Sequence, residues 1–435
     1  MNRPPFDLTK KQAVWWLVVI FALGFVLRVF ATYEWPMGIN HFSDDNGYLN
    51  SGATFLKTGY VTYAKPNVPS GVLGPGMPIL LGMIFAVFGY QPEGLMASHV
   101  AFAGIGLLTA LGLYLLGALL HSRLAGVVAS AFGALDFGLV STNSAFYTET
   151  PFMCLMVFGL YFFLKSVLDW RLGRYLAGVA CFCAAMAFKG LALLLPPCIL
   201  AYLLYRRVKL SKWLPQAVLL VVISALVFLP WCVRNQQIIG VFTPFPTSQG
   251  DQKLLGTYVG VGYPDGTYEE ALEKLDAMAW EQGYQTDTIH RIKDRGEYGQ
   301  ERLAQWIAQN PLGFLFTHLL YKPVSLLILP FYPHKTLHVP LRLVNLCWWV
   351  LLVLALWGVL SGKLTGKKSY PGFYVPLILL ALSVWVPSLM VPLARYNAAN
   401  MPFVMLYAAI GIANGLPLIH RDKSRSLQER MEKST

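Results

Sequence analysis

The feature that most constrains this chain is a succession of long apolar runs joined by short polar connections. Runs 13–31, 94–119, 124–141, 150–168, 213–232, 341–360, 370–391 and 397–416 each approach the roughly 20 residues a helix needs to cross a bilayer core. A further apolar stretch, 172–205, is interrupted at "FKGLALLLPP" and suits two shorter helices around Lys189, giving about ten crossings in all. Only 13% of residues are charged, against about 25% in a soluble domain, and mean hydropathy is +0.51. A polytopic membrane protein is therefore expected. The 12 Trp and 22 Tyr suit helices anchored at two interfaces.

The basic residues orient these helices. With the N-terminus inside, the inner connections carry His121 and Arg123, then Arg171 and Arg174, then "RRVKLSK" (206–212), then "GKLTGKK" (362–368) and finally the tail "HRDKSRSLQERMEK". Every cluster then obeys the positive-inside rule, which explains the net charge of +12 better than a nucleic-acid partner does. The run 13–31 is too long for a signal-peptide core and reads as the first crossing. Two apolar segments stay on the outer face in this scheme. Residues 76–89 are short and contain Pro78, which fits an interfacial helix. Residues 312–332 contain His318, Lys322 and Pro323, and counting them as a crossing would reverse the later charge clusters.

The expected organisation is a transmembrane module over 1–232, an outer segment over 233–340, transmembrane helices over 341–420 and a basic cytoplasmic tail over 421–435. Within the outer segment, Leu272, Leu275 and Met278 recur at helical spacing, predicting a small helical insertion. Of the six Cys, Cys154, Cys181, Cys183 and Cys198 lie in apolar runs. Their spacing supports core packing rather than redox or metal chemistry.

Topology gathers the unusual polar residues on one side. Asp44, Asp45, Glu149, Lys189, Arg234, Asn235, Arg395 and Tyr396 all fall at outer helix ends or in outer loops. Taken alone, the adjacent acids Asp44 and Asp45 read equally as solvated loop residues, cation ligands or active-site acids. Charges at helix ends are commonly interfacial anchors. Lys189 stands apart, because an ammonium between two apolar half-helices requires an anion, either Glu149 or a lipid phosphate. Arg395 offers the forked donors that phosphate accepts. Cations for a phosphate leaving group and an acid for proton removal are the parts of a group transfer from a lipid phosphate.

Several stretches carry a family resemblance. "SDDNGYLNSGATFLKTG", "GPGMPILLGMIFAVFG", "NSAFYTETPF", "LPWCVRNQQIIGVFTP" and "RYNAANMPFVMLYAAIGI" resemble, in order, five segments of one enzyme group. These are the bacterial protein-mannosyltransferase-like glycosyltransferases of GT-C architecture, related to the aminoarabinose transferases of lipid A. Leu73–Gly74 departs from the acid and lysine that the aminoarabinose enzymes carry before the Pro of the second segment. The resemblance implies an all-α GT-C bundle with outer juxtamembrane helices and a polyprenyl-phosphate sugar as donor. Transfer would be inverting, in one displacement, to a glycan, glycolipid or protein acceptor. Asp44 then takes the place of the catalytic-loop acid, with Asp45 a neighbouring acid of open role and Glu149 the acid of the second outer loop. Tyr48, Lys189, Arg234, Arg395 and Tyr396 become substrate-binding residues. A metal is left open: Asp44, Asp45 and Glu149 could supply oxygen ligands for Mg²⁺ or Mn²⁺, whereas many relatives with a lipid-monophosphate donor need none, and His41 alone supports zinc only weakly. The resemblance further implies a multi-pass plasma-membrane protein, of the inner membrane in bacteria, with its site on the periplasmic or extracellular side. A transporter or flippase for a lipid-linked saccharide is the competing class. It would carry charges near the midplane and an inverted repeat, and no repeat is evident.

Overall fold

The computed structural model describes residues 7–34, 44–63, 68–284, 288–333, 336–364 and 371–415. His41, the "TGKK" part (365–368) of the inner connection at 362–368 and the tail 421–435 lie outside the described residues. Among those described, every regular element is helical.

Among the described residues, six helices are long and apolar enough to cross a membrane, or seven if one bent pair forms a single span. They are α1 (Lys10–Glu34), α4 (Glu93–Leu120), α7 (Glu149–Asp169), α10 (Leu210–Ile239), the Pro311–Ile328 segment and α16 (Leu341–Leu364). The bent pair is α5 (Arg123–Leu135) and α6 (Phe137–Ser144), meeting at 50°. The remaining apolar helices are shorter: α8 (Leu172–Phe188), a 3-10 turn over Gly190–Leu194 continuing into α9 (Leu195–Tyr205), α17 (Tyr374–Ser388) and α19 (Met401–Gly415). Each of the ten expected crossings thus coincides with an apolar helix, but the count of ten is not matched by length. Pro311–Ile328, which the charge pattern set on the outer face, meets the length and composition of a span. It comprises α14 (Pro311–Phe316), a π-type turn at Thr317–Tyr321 and α15 (Lys322–Ile328).

The bend between α5 and α6 has a local cause. Asp136 caps α6 by accepting from the Leu139 amide. Arg28 of α1, 1% exposed, donates to the Ala134 carbonyl at 2.5 Å and the Gly133 carbonyl at 3.2 Å. Its Nε also donates to Asn143 Oδ1 at 2.7 Å. The carbonyls released where α5 ends are thereby satisfied, as buried backbone groups must be. α19 lies at the centre of the largest core cluster, with Met405, Leu406, Tyr407 and Ala408 all fully buried among residues of α7, α8, α16 and α17. A helix wrapped on every side by protein can be apolar all round without facing lipid.

Five further helices shape the end that carries the polar residues. "SDDNGYLNSG" was expected in a loop, yet Asp44–Thr58 forms a helix, α2, packed on α3 (Gly76–Phe88). Its acids occupy the first turn, where the free amides and the helix dipole favour negative charge. The outer segment folds as α11 (Gln249–Gly256), α12 (Tyr268–Glu281) and α13 (Thr288–Gln309). Thr267 and Glu270 form a reciprocal capping box that starts α12. Arg295 of α13 reaches Asp251 of α11 at 2.8 Å and Asp276 of α12 at 3.4 Å, and Arg291 reaches Asp276 at 2.5 Å. These pairs hold α11 against the insertion.

Candidate active site

Four helix ends converge on one charge cluster. Glu149 opens α7, Lys189 follows α8, Asp44 opens α2, and Arg395 sits in α18 (Ala394–Asn397), just before α19. The Glu149 side chain is wholly buried. Its Oε1 accepts from Lys189 Nζ at 2.6 Å and from Arg395 Nε at 2.6 Å. Its Oε2 accepts from Arg395 Nη2 at 3.3 Å and from the Thr148 hydroxyl at 3.1 Å. Arg395 spans the site: Nη1 donates to Asp44 Oδ2, and Nη2 donates also to the Tyr48 hydroxyl at 2.9 Å. Its guanidinium lies 4.9 Å from the centre of the Tyr147 ring, and the Lys189 ammonium lies 5.6 Å from that of Tyr396. Two cations and two carboxylates therefore balance within the cluster, and each cation keeps part of its side chain exposed, 18% for Lys189 and 22% for Arg395.

Asp44 receives a second donor that the sequence did not signal. The Tyr63 hydroxyl donates to its Oδ1. Gly47 makes room for that ring, since a Cβ there would stand 2.5 Å from Tyr63 Cε2. Burial and the neighbouring Asp44 carboxylate push the Tyr63 phenol well above its ordinary pKa, so it stays a donor. The Tyr48 phenol is pushed up to about 12, chiefly by burial. Gly74, in the departing "LG" pair, also serves a close approach: a side chain there would meet the Ala187 carbonyl at 2.6 Å.

A cavity of about 390 Å³ opens over the cluster, lined by Asp44, Tyr48, Tyr63, Lys189, Arg395 and Tyr396 among others. Ser248, Asp251 and Gln252 close it from the outer segment. Beside it runs an apolar groove of about 470 Å³, formed by residues such as Leu191, Leu194, Phe245, Val386 and Met390. The two share Phe188, Lys189, Pro246, Ser248, Gln252 and Tyr396. A polar chamber thus continues into an apolar channel past one ammonium.

The structure brings together six of the eight residues singled out as catalytic or substrate-binding: Asp44, Tyr48, Glu149, Lys189, Arg395 and Tyr396. Arg234 is elsewhere, and Asp45, although next to Asp44 in the chain, lines neither cavity. Neighbouring residues on a helix diverge by about 100°, so Asp45 turns inward and is 2% exposed. Burial pushes its carboxyl above the usual range, against the Asn46 amide that donates to it. Arg234, on the last turns of α10, donates to Asn235 Oδ1 at 2.8 Å, lies 4.8 Å from the Trp231 ring centre and lines neither cavity. Thr148, Tyr147 and Tyr63 are the site residues that sequence reasoning missed. They carry no spacing or charge signal, and only contact reveals them.

The expected divalent-cation site does not fit. The Arg395 guanidinium bridges Asp44 to Glu149, which puts a cation where a metal would need ligands. Among the described residues, no group of three or more His, Cys, Asp or Glu side chains is arranged to hold an ion.

With this geometry in view, residues 69–233 match the model of a family described as dolichyl-phosphate-mannose-protein mannosyltransferase. The apo oligosaccharyltransferase of Archaeoglobus fulgidus superposes with a TM-score of 0.56 at 15% identity, over 96% of this chain and 52% of its own. The same archaeal enzyme, in complex with an inhibitory peptide and a dolichol-phosphate, gives 0.57 at 16% identity, over 96% and 52%. The chain has the GT-C fold. The sequence resemblance to GT-C glycosyltransferases therefore holds at the level of the family model and the architecture. ArnT from Cupriavidus metallidurans, bound to undecaprenyl phosphate, is a more distant likeness, with a TM-score of 0.39 at 17% identity over 92% of this chain and 77% of its own. This chain spans about half the length of the archaeal enzyme. No curated protein sequence matches it. Glu149 and Lys189 lie inside the matched segment, whereas Asp44 and Arg395 join the site from outside it.

Proposed function

We propose that this protein is an inverting glycosyltransferase that moves a sugar from a polyprenyl-phosphate donor to a glycan, lipid or protein acceptor on the outer membrane face. The observation that carries this reading is the pair of adjoining cavities. The polar one is lined by two carboxylates, Asp44 and Asp251, and two cations, and the apolar groove meets it at residues that include Lys189 and Tyr396. Such a surface suits a molecule with a long apolar tail, a phosphate at the junction and a polar head. The dolichol-phosphate found in the archaeal relative has such a tail and phosphate.

In this reading the prenyl chain lies along Leu191, Leu194 and Phe245, and the phosphate meets Lys189 and Arg395. Asp44, held by Tyr63 and Arg395, removes a proton from the acceptor hydroxyl or amine as that atom bonds to the anomeric carbon. The bond between that carbon and the phosphate oxygen breaks, and its electron pair leaves with the lipid phosphate. Positive groups aimed at the developing phosphate charge stabilise the transition state. One displacement at the anomeric carbon inverts its configuration. Glu149 acts by positioning: it neutralises Lys189 and Arg395 in a buried setting where isolated charges would be costly.

Asp44→Asn tests the assignment. With labelled polyprenyl-phosphate sugar and membranes supplying the acceptor, label transfer should fall by about 10²–10⁴-fold, the range for losing a positioned base. Full transfer by a correctly inserted Asp44→Asn protein would overturn it.

A further inference from the structure

A second cavity lies at the opposite end of the bundle. α7 runs away from Glu149 and ends at Asp169, and α8 begins at Leu172 and returns to Lys189. A 21-residue helix places these ends about 30 Å apart. At the far end, α7, α8, α9 and α10 enclose a space of about 270 Å³, lined by residues such as Phe163, Val167, Leu200, Trp213 and Leu220. Its lining is almost wholly apolar, and the Tyr175 hydroxyl there donates to the Gln216 backbone carbonyl.

The same end carries a concentration of positive charge. Arg171 and Arg174 flank the turn between α7 and α8, while Arg206, Arg207, Lys209 and Lys212 flank the turn between α9 and α10. The two turns touch, since the Lys212 ammonium lies 5.8 Å from the Trp170 ring centre. One carboxylate on these turns, Asp169, answers six cations, and it pairs with Arg174 and Arg171. Arg206 follows Leu203 of the cavity wall by about one helical turn, and Lys209 precedes Trp213 by one turn. Arg206 and Lys209 are exposed. The positive-inside tendency accounts for basic turns, but it gives no reason for a hollow beneath them.

We propose that this cavity and its basic rim bind an anionic phospholipid of the inner leaflet. An acyl chain enters between α7 and α10, and the headgroup phosphate meets Arg206, Lys209 and Lys212. Charge complementarity selects this occupant: a neutral or zwitterionic lipid would leave the rim's excess charge unanswered. Basic residues beside an anionic lipid surface contribute roughly fivefold each in affinity, so removing two should weaken binding about thirtyfold.

Native mass spectrometry of the purified full chain tests the proposal, using micelles doped with phosphatidylglycerol or with phosphatidylcholine of the same chains. Phosphatidylglycerol should be retained in preference to phosphatidylcholine. Arg206→Gln with Lys209→Gln should weaken it about thirtyfold. Ala217→Phe, which fills the cavity from α10, should weaken it by occupying the acyl space with the rim intact. The charge variants alter exposed side chains and leave the packed core untouched, so they remain informative if Ala217→Phe fails to fold. Equal retention of both lipids, or unchanged affinity in the charge variants, would overturn the site. So would a folded Ala217→Phe protein with wild-type affinity, or displacement of the lipid by millimolar inorganic phosphate. None of these readouts measures sugar transfer, so they stand or fall independently of the activity at the other end.

Discussion

Replacing Glu149 with Gln removes one negative charge from a fully buried position while keeping the side chain's shape. Two cations lose their shared partner: Lys189 keeps no acid within bonding distance among the described contacts, and Arg395 keeps only Asp44. The new amide can accept from one of them but must turn its own N–H donors toward the other. Breaking a buried ion pair by removing one member costs about 3–5 kcal/mol. Both cations retain some contact with the open cavity, so a loss of about 3 kcal/mol is expected. Lys189→Met should cost a similar amount, because it leaves part of Glu149 unanswered. If the cluster works by mutual neutralisation, the two changes together should cost less than their sum by about 1–3 kcal/mol. Reversible unfolding of the micelle-solubilised protein, followed by tryptophan fluorescence for wild type, both single variants and the double variant, measures this coupling. Additivity within about 0.5 kcal/mol would refute the reasoning and make Glu149 a packing residue.

Other consequences are separable. Tyr63→Phe removes the donor to Asp44 Oδ1, and should slow sugar transfer about 10- to 100-fold, as expected for a hydrogen bond to a charged group; the fold should be preserved, as a circular-dichroism melt would show. Burial raises the Asp45 carboxyl above 3.8, so its contribution to stability is fully present below that value and is lost as pH rises through the raised value. Asp45→Asn should therefore gain on wild type in unfolding temperature as pH increases from about 4 toward 7, and a difference independent of pH would contradict the burial argument. Cysteines introduced at Ser211 and Gln282, both exposed and separated by the long helix α10, should react with an impermeant maleimide from opposite sides of sealed vesicles. Labelling of both from one side would break the assigned orientation.

The apolar runs, read at helical rise, were enough to expect an apolar helix at each of ten places, although Pro311–Ile328, which the charge pattern left on the outer face, also has the length and composition of a span. That follows because burial in lipid demands a long apolar segment wherever it occurs in the chain. The same reading gathered Asp44, Glu149, Lys189 and Arg395 on one face, since each stands at a helix end on the same side of the charge pattern. It failed where the outcome depended on packing between segments. α19 needs no lipid-spanning length because protein encloses it. Asp44 and Asp45 are interchangeable letters in a sequence, but on α2 one faces Arg395 and the other the core, because a helix turns about 100° per residue. The bridge from Arg395 to Asp44 joins residues 351 positions apart. No local pattern records such a contact. The question of a metal was left open for the same reason: the acids were visible in the sequence, and the guanidinium that bridges Asp44 to Glu149 was visible only in three dimensions.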